Sequence, residues 1–284
     1  MRLVAPTAFK GTMSPLEAAR HLARTGDRLL PLSDGGDGFL ECLHFVLGGK
    51  FSEHLAADPF GHVRLVPVLE LPDGTIAVES AKVIGLAGLE KLDPMRASSR
   101  GLGELLHILQ SSSRLWIGLG GTGTVDGGMS WPELTLPPST VFCDVRTGLA
   151  HAAEMFGPQK GATIDEIPIL NKRLLGSGLP TGEFTGAAGG LGGKLLSLGA
   201  TLVAGAEEIL NVVEFDLRCK GCDAVVTGEG CLDKSTLEGK LPFVVAKRAR
   251  ELGLKVIGRF GRKGEGWEIA AQSFDEVAFE TDIG

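Results

Sequence analysis

Short apolar runs alternate with amphipathic segments at both ends of this chain, and that alternation is what most constrains the fold. RLVAP (2–6) reads as a strand. Ser14-Pro15-Leu16-Glu17 follows, with the serine, the N1 proline and the N3 glutamate of a capping box that opens a helix over 15–24. DRLLPL (27–32) is a second strand, and residues 37–47 form an apolar helix stopped by Gly48-Gly49. The far end repeats the alternation: strand 223–227, helix 242–252 beginning at Pro242, strand 254–258, helix 266–272 and strand 276–279. Between these ends the period changes. Residues 51–57, 62–70 and 74–80 are β-rich, with Pro72-Asp73-Gly74 as a hairpin turn. Helix 102–111, strand 114–118, a glycine-rich loop to Trp131 and strand 139–145 come next. Further helices are expected at 148–155, 163–175 (interrupted near Pro168), 190–198 and 205–213. The expected fold is α/β with two domains. A flavodoxin- or Rossmann-like, doubly wound domain is made from 1–55 plus 220–284, and a mixed α/β domain is inserted over 56–219.

Composition narrows the function. Glycine accounts for 42 of 284 residues, roughly twice its share in ordinary soluble proteins. These glycines have no collagen-like period and lie among apolar strands, which excludes a triple helix and argues against disorder. The net charge of −7 removes the global basic field that nonspecific nucleic-acid binding uses, so no nucleic-acid partner is expected. No stretch approaches the roughly 18 apolar residues of a membrane span, and MRLVAPTAFKG has no signal-peptide pattern. A cytoplasmic protein with no membrane partner is the expectation; its oligomeric state is left open. Cys42, Cys143, Cys219, Cys222 and Cys231 make an odd count that favours a reducing compartment over a disulfide framework. Cys219 and Cys222 have zinc or redox spacing, but Cys231 stands alone and no histidine follows His151, so they read as buried or idle thiols.

Three runs at strand ends combine glycine with acid: Ser33-Asp34-Gly35-Gly36-Asp37-Gly38, Gly120-Gly121-Thr122-Gly123-Thr124-Val125-Asp126-Gly127-Gly128, and Thr227-Gly228-Glu229-Gly230-Cys231-Leu232-Asp233. Ligands of open α/β sheets bind outside the carboxyl ends of the strands. Glycine lets backbone N–H groups approach phosphate oxygens, and a nearby carboxylate can hold Mg²⁺ or accept a hydroxyl proton. Together the three runs point to a shared polyphosphate or metal site.

Other motifs fall short. Gly118-Leu119-Gly120-Gly121-Thr122-Gly123 matches the dinucleotide fingerprint, but two further glycines and Pro132 leave no helix for its third glycine to open. Gly189-Gly190-Leu191-Gly192-Gly193-Lys194 lacks the spacing and the hydroxyl of a P-loop; it either presents N–H groups to an anion or permits close helix packing. Lys10, Lys160 and Lys240 sit in glycine-flanked loops, where a cation can neutralise phosphate. No Ser-His-Asp pattern or G-x-S-x-G elbow occurs, and the six histidines have no metal-ligand spacing.

Taken together, these blocks resemble the bacterial glycerate kinase family. The matching pieces, in family order, are Phe9-Lys10-Gly11, Ser33 to Gly38, Glu79-Ser80-Ala81 with Gly85-Leu86, Gly118 to Gly121, Asp126-Gly127-Gly128 and Cys143-Asp144-Val145. Phe156-Gly157-Pro158-Gln159-Lys160-Gly161-Ala162, Gly186 to Gly192, Thr227-Gly228-Glu229-Gly230, Leu232-Asp233 and Gly239-Lys240 complete the series, which runs to about residue 250. The resemblance implies transfer of the ATP γ-phosphoryl group to a hydroxyl of D-glycerate, with Mg²⁺, in a two-domain α/β enzyme whose cleft lies between the domains. It implies Lys10 as a phosphate or carboxylate anchor and Asp126 as first choice for base or metal carboxylate. Asp34, Asp37, Glu229 and Asp233 share metal and substrate roles. Gly120, Gly121, Thr122, Lys160, Gly189, Gly190 and Lys240 are the expected phosphate-binding set.

The chain departs from the family pattern at four places. Thr7-Ala8 replaces the Asp-Ser before Phe-Lys-Gly, Val125 an asparagine, and Arg146-Thr147-Gly148 the Asp-Asn-Pro after Cys-Asp-Val. The chain is also shorter, with much of the loss expected between Gly128 and Ser139. These departures keep a second reading open, a catalytically idle paralogue that binds a nucleotide or hydroxy acid.

Overall fold

The computed structural model describes residues 1–280, which divide into two compact units. The first takes Met1–Leu47 and the chain from Ala206 onward; the second is Gly48–Gly205. The first opens with β1 (Arg2–Val4), α1 (Pro15–Leu22), β2 (Arg28–Leu29) and α2 (Phe39–Leu47). The second holds β3 (Lys50–Ala57), β4 (Val63–Glu70), β5 (Ile76–Glu79), α3 (Ser80–Ile84), α4 (Arg100–Ile108), β6 (Leu115–Leu119), β7 (Ser139–Cys143), α5 (Ala152–Phe156), α6 (Glu166–Leu175), α7 (Ala187–Ser197) and β8 (Thr201–Ala204). The chain then passes through α8 (Gly205–Val212), α9 (Phe215–Arg218), β9 (Ala224–Leu232), α10 (Leu241–Glu251), β10 (Lys255–Lys263), α11 (Trp267–Ala271) and β11 (Glu276–Phe279). The unit boundaries thus fall at 47/48 and 205/206, against the 55/56 and 219/220 expected from the alternation of segments. At the first boundary the cause is pairing: all of β3 is laddered to β4, Lys50 opposite Glu70 through Ala57 opposite Val63.

In the first unit five parallel strands run in the order β11-β10-β9-β1-β2. Numbered within the unit, that is the flavodoxin-like order 2-1-3-4-5, whose topological switch lies between β1 and β9. The α1 helix starts as its sequence predicts, with Ser14 and Glu17 exchanging capping-box hydrogen bonds. Val4, Ala19, Ala224, Val226 and Ile257 pack as one apolar cluster of this unit. The parallel ladder continues beyond the short β1: Leu32 N–H donates to Pro6 O at 3.0 Å and Thr7 N–H to Gly228 O at 3.0 Å. The segment after β1 is thereby laid between β9 and the segment after β2.

One expectation fails here. The run Thr227–Asp233 is not a strand-end loop. β9 continues through Leu232, paired with β10 as far as Cys231 opposite Arg262 and Leu232 opposite Lys263. Its glycines suit a close ladder as well as a turn, and sequence alone does not separate the two.

The second unit is a six-stranded mixed sheet, β3-β4-β5-β6-β7-β8, antiparallel over its first two pairings and parallel over the rest. β8 was not expected; TLVA is too short and too exposed to show a period. Pro168 does not interrupt α6, because it stands at the third position, where the helix requires no N–H donor. The parallel neighbours β6 and β7 are joined by residues 120–138 without a helix, although such crossovers usually contain one. Trp131, Leu134 and Leu136 of this strap fill the place instead, packed into the main core cluster.

Candidate active site

In the first unit the charged groups gather at the switch point. Phe9, buried, anchors a tight turn: its N–H donates to Met13 O at 3.0 Å and its carbonyl accepts from Thr12 N at 2.9 Å. Lys10 is left exposed at the tip of that turn. After β2, the buried Ser33 hydroxyl donates to Gly36 O at 3.1 Å, and Gly36 N–H leans toward Asp34 Oδ1 at 3.4 Å. Burial raises the Asp34 carboxyl above the usual carboxylate range despite the opposing charges of Lys10 and Lys240. On β9 the Glu229 carboxyl is pushed up to about 7 by burial, against the pull of Lys240 and a 3.0 Å hydrogen bond from Thr236 Oγ1. Burial also works on Asp233, but the Ser235 hydrogen bonds and the Lys240 charge outweigh it and hold that carboxyl below its ordinary value.

Lys240, N-cap of α10, joins the set. Its ammonium stands 3.8 Å from Glu229 Oε2 and 3.4 Å from Asp233 Oδ1. Asp34, Glu229, Asp233, Lys10 and Lys240 therefore form one electrostatic cluster, and Asp37 is an exposed residue of the same turn. Sequence reading missed Ser235 and Thr236. The signal was there in Asp233-Lys234-Ser235-Thr236, since Asp233 and Thr236 make a reciprocal cap on the short 3-10 turn Lys234–Glu238.

In the second unit the glycine loop after β6 is held by its neighbours. Ser80 Oγ donates to Gly120 O at 3.2 Å, Leu86 N–H to Gly121 O at 2.8 Å, and Gly123 N–H to Ile84 O at 2.8 Å. Lys160 is buried, and its ammonium donates to Thr122 Oγ1 at 3.2 Å and to Thr124 O at 2.8 Å. Burial lowers its pKa to about 8, against the raising effect of Asp144 and Asp126. Lys160 thus braces the loop. Between about 8 and its ordinary 10.5 the unfolded chain keeps a proton that the folded one has lost, so this group makes stability rise with pH across that window. Lys160→Met leaves the Thr124 carbonyl without its donor, a loss of about 1–3 kcal/mol. Urea unfolding should show that deficit larger near pH 9.5 than near pH 7.5, values that bracket the lowered pKa; a deficit independent of pH would contradict the buried charge.

Gly189 and Gly190 are closely packed. Ala188, Gly189 and Gly190 all have positive φ (52°, 70° and 95°), so the regular part of α7 begins after them. Gly189 O accepts from Gly127 N–H at 3.1 Å, and a Cβ on Gly189 would strike the Thr124 carbonyl. The glycines let the start of α7 press against the acidic loop, which is close packing. Gly189→Ala should lower stability by about 2–4 kcal/mol through strain and collision, read as the shift of the chemical-denaturation midpoint.

Asp126 sits half-buried at the end of the loop. Ser99 donates to its Oδ2 twice, from N–H at 2.7 Å and from Oγ at 3.0 Å, and Gly128 N–H approaches Oδ1 at 3.4 Å. No helix opens after Gly123, so the dinucleotide fingerprint has no structural counterpart. The Thr124 hydroxyl is fully buried with no hydrogen-bond partner among the described residues. Cys219 and Cys222 are buried and unbridged.

Each unit thus carries acidic and glycine-rich segments at or beyond the ends of parallel-paired strands, the region where ligands of open α/β sheets bind, in a two-domain α/β protein. Comparison with known proteins gives the family. The glycerate kinase family model matches residues 2–134 and 131–280, and the chain belongs to that family. It is 32% identical to the glycerate kinase of Bacillus subtilis (strain 168), over 91% of this chain and 84% of that one. It is 29% identical to the glycerate 2-kinase of Escherichia coli (strain K12), over 99% and 91%. A crystal structure described as a glycerate kinase 2 from Salmonella typhimurium LT2 matches with a TM-score of 0.76 at 26% identity, covering 98% of this chain and 89% of that chain. The two pieces of the family match meet at 131–134, inside the segment where the sequence placed the missing residues.

Proposed function

We propose that this chain transfers the γ-phosphoryl group of ATP to a hydroxyl of D-glycerate or a similar small hydroxy acid. The observation that carries the reading is the charge cluster at the switch point of the first unit, in a chain of this family. Phosphoryl transfer asks little covalent chemistry of a protein; it asks for alignment and for neutralisation of charge. The substrate hydroxyl oxygen bonds to the γ-phosphorus, the bond to the β,γ-bridging oxygen breaks, ADP leaves, and the hydroxyl proton passes to a carboxylate. Lys10 and Lys240 supply positive charge for phosphate or for the substrate carboxylate. Asp34 and Asp126 are the candidate proton acceptors, and the loop 120–128, braced by Lys160, supplies backbone donors.

Mg²⁺ fits the residues present. Among the described residues no group of three His, Cys, Asp or Glu side chains is arranged to hold a metal. Mg²⁺ on nucleotide phosphates, however, needs one or two protein carboxylates, the rest of its ligands being phosphate and water. Glu229 and Asp233 already converge on one cation, the Lys240 ammonium. They would hold the ion, and when bound it would neutralise phosphate charge; Asp37 and Asp126 are not part of that pair.

The test is purified protein with ATP, Mg²⁺ and D-glycerate, following ADP release, with ATP binding measured by calorimetry alongside. Glycerate-dependent ADP release is the expected result. Tight ATP binding without turnover over a panel of small hydroxy acids would support the idle paralogue and end the kinase reading.

A further inference from the structure

The Asp126 carboxylate is held by two residues that no motif contains. Ser99 occupies the N-cap position of α4, where a serine hydroxyl ordinarily accepts from the helix's own N–H groups. Here it makes no capping bond. The fully buried hydroxyl donates to Asp126 Oδ2 and accepts from Trp131 Nε1–H at 2.8 Å. Trp131 is itself 8% exposed, and its ring lies so close to Gly103 of α4 that any side chain there would collide with it. The backbone ties the same residues: Trp131 N–H donates to Gly128 O at 3.2 Å, and Met129 N–H to Asp126 O at 3.2 Å. Trp131 also stands at the seam where the two pieces of the family match meet, in the strap that replaces a crossover helix.

We propose that Ser99 and Trp131 are positioning residues for the reaction, with the Trp131 indole orienting the Ser99 hydroxyl so that Ser99 fixes the Asp126 carboxylate in one rotamer. A hydroxyl that accepts one hydrogen bond donates a stronger second one, and in a buried network each bond fixes the next. In this shortened chain the strap itself supplies the support for the acidic loop. The inference rests on the proposed role of Asp126.

Trp131→Phe removes the N–H and keeps the aromatic bulk, and Ser99→Ala removes the hydroxyl while keeping the N–H bond to Asp126. Each should lower kcat about five- to thirty-fold through a misplaced carboxylate, with KM for ATP and D-glycerate little changed. The double variant should be no slower than the slower single one, because both act along one chain of contacts. A wild-type kcat in either single variant, or losses that multiply in the double, would overturn the proposal. If Asp126→Asn itself keeps the wild-type rate, the role of Asp126 falls and the proposal with it. If Asp126→Asn is inactive while Ser99→Ala and Trp131→Phe are silent, the positioning alone is wrong. A readout independent of turnover is the Trp131 indole N–H resonance in ¹⁵N-labelled protein. It should move on Ser99→Ala and on Asp126→Asn, and a resonance unmoved by both would refute the network.

Discussion

Lys10→Ala is expected to lower kcat by about 10²-fold or more, the scale on which removal of a well-placed charge or donor usually acts, without loss of the fold. The side chain is exposed at the tip of a turn held by Phe9, not by Lys10, so its removal opens no cavity. Surface substitutions of that kind change stability by about 0.5 kcal/mol or less. Yet the ammonium is the leading positive influence on Asp34, whose carboxyl burial already raises. The variant therefore separates a charge needed for the chemistry from one needed for folding. Steady-state kinetics with ADP detection and a urea midpoint, on the same preparation, check both halves. A near-normal kcat would remove Lys10 from the site.

Asp126→Asn is the second large effect, and it should be mixed. The substitution keeps the shape but turns one acceptor oxygen into an NH₂ donor. Whichever way the amide turns, its new donor faces either Ser99 or Gly128, both of which donate to the carboxylate now. The expected result is a fall in kcat of about 10²-fold or more, with a stability loss of about 1–3 kcal/mol from the mispaired group. A stability loss of that size with an unchanged kcat would show that Asp126 only braces the loop. The pair of measurements thus decides between the two duties the geometry gives this residue.

Much of the fold was legible because local signals agreed with the tertiary result. The Ser14 capping box, the Pro72-Asp73-Gly74 turn and the alternation at both ends all appear where the sequence places them. Glycine misled in one place and left a question open in another. In Thr227–Asp233 it was read as a loop, and the chain is a laddered strand. At Gly189-Gly190 it was ambiguous between an anion cradle and close packing, and the nearness of the Thr124 carbonyl to Gly189 shows the close packing. Glycine has no side chain to report its partner, so only tertiary contact distinguishes these uses. The site residues that sequence reading named were recognisable by charge and motif. Ser99 and Trp131 were not, because what matters in each is the partner of a hydrogen bond (Asp126 and Ser99, distant by 27 and 32 positions). Lys160 shows the same limit, since its place in a glycine-flanked loop does not reveal that its neighbours in space bury it.

If this chain is a glycerate kinase in action as well as in family, the γ-phosphoryl group of ATP ends on glycerate. The most direct test incubates the protein with D-glycerate, Mg²⁺ and ATP labelled with ¹⁸O in the three non-bridging γ-oxygens, and reads the products by mass spectrometry. The expected product is a phosphoglycerate that carries all three labelled oxygens, formed in step with unlabelled ADP. Label released only as inorganic phosphate, or ATP recovered intact from a protein shown to bind it, would overturn the kinase reading.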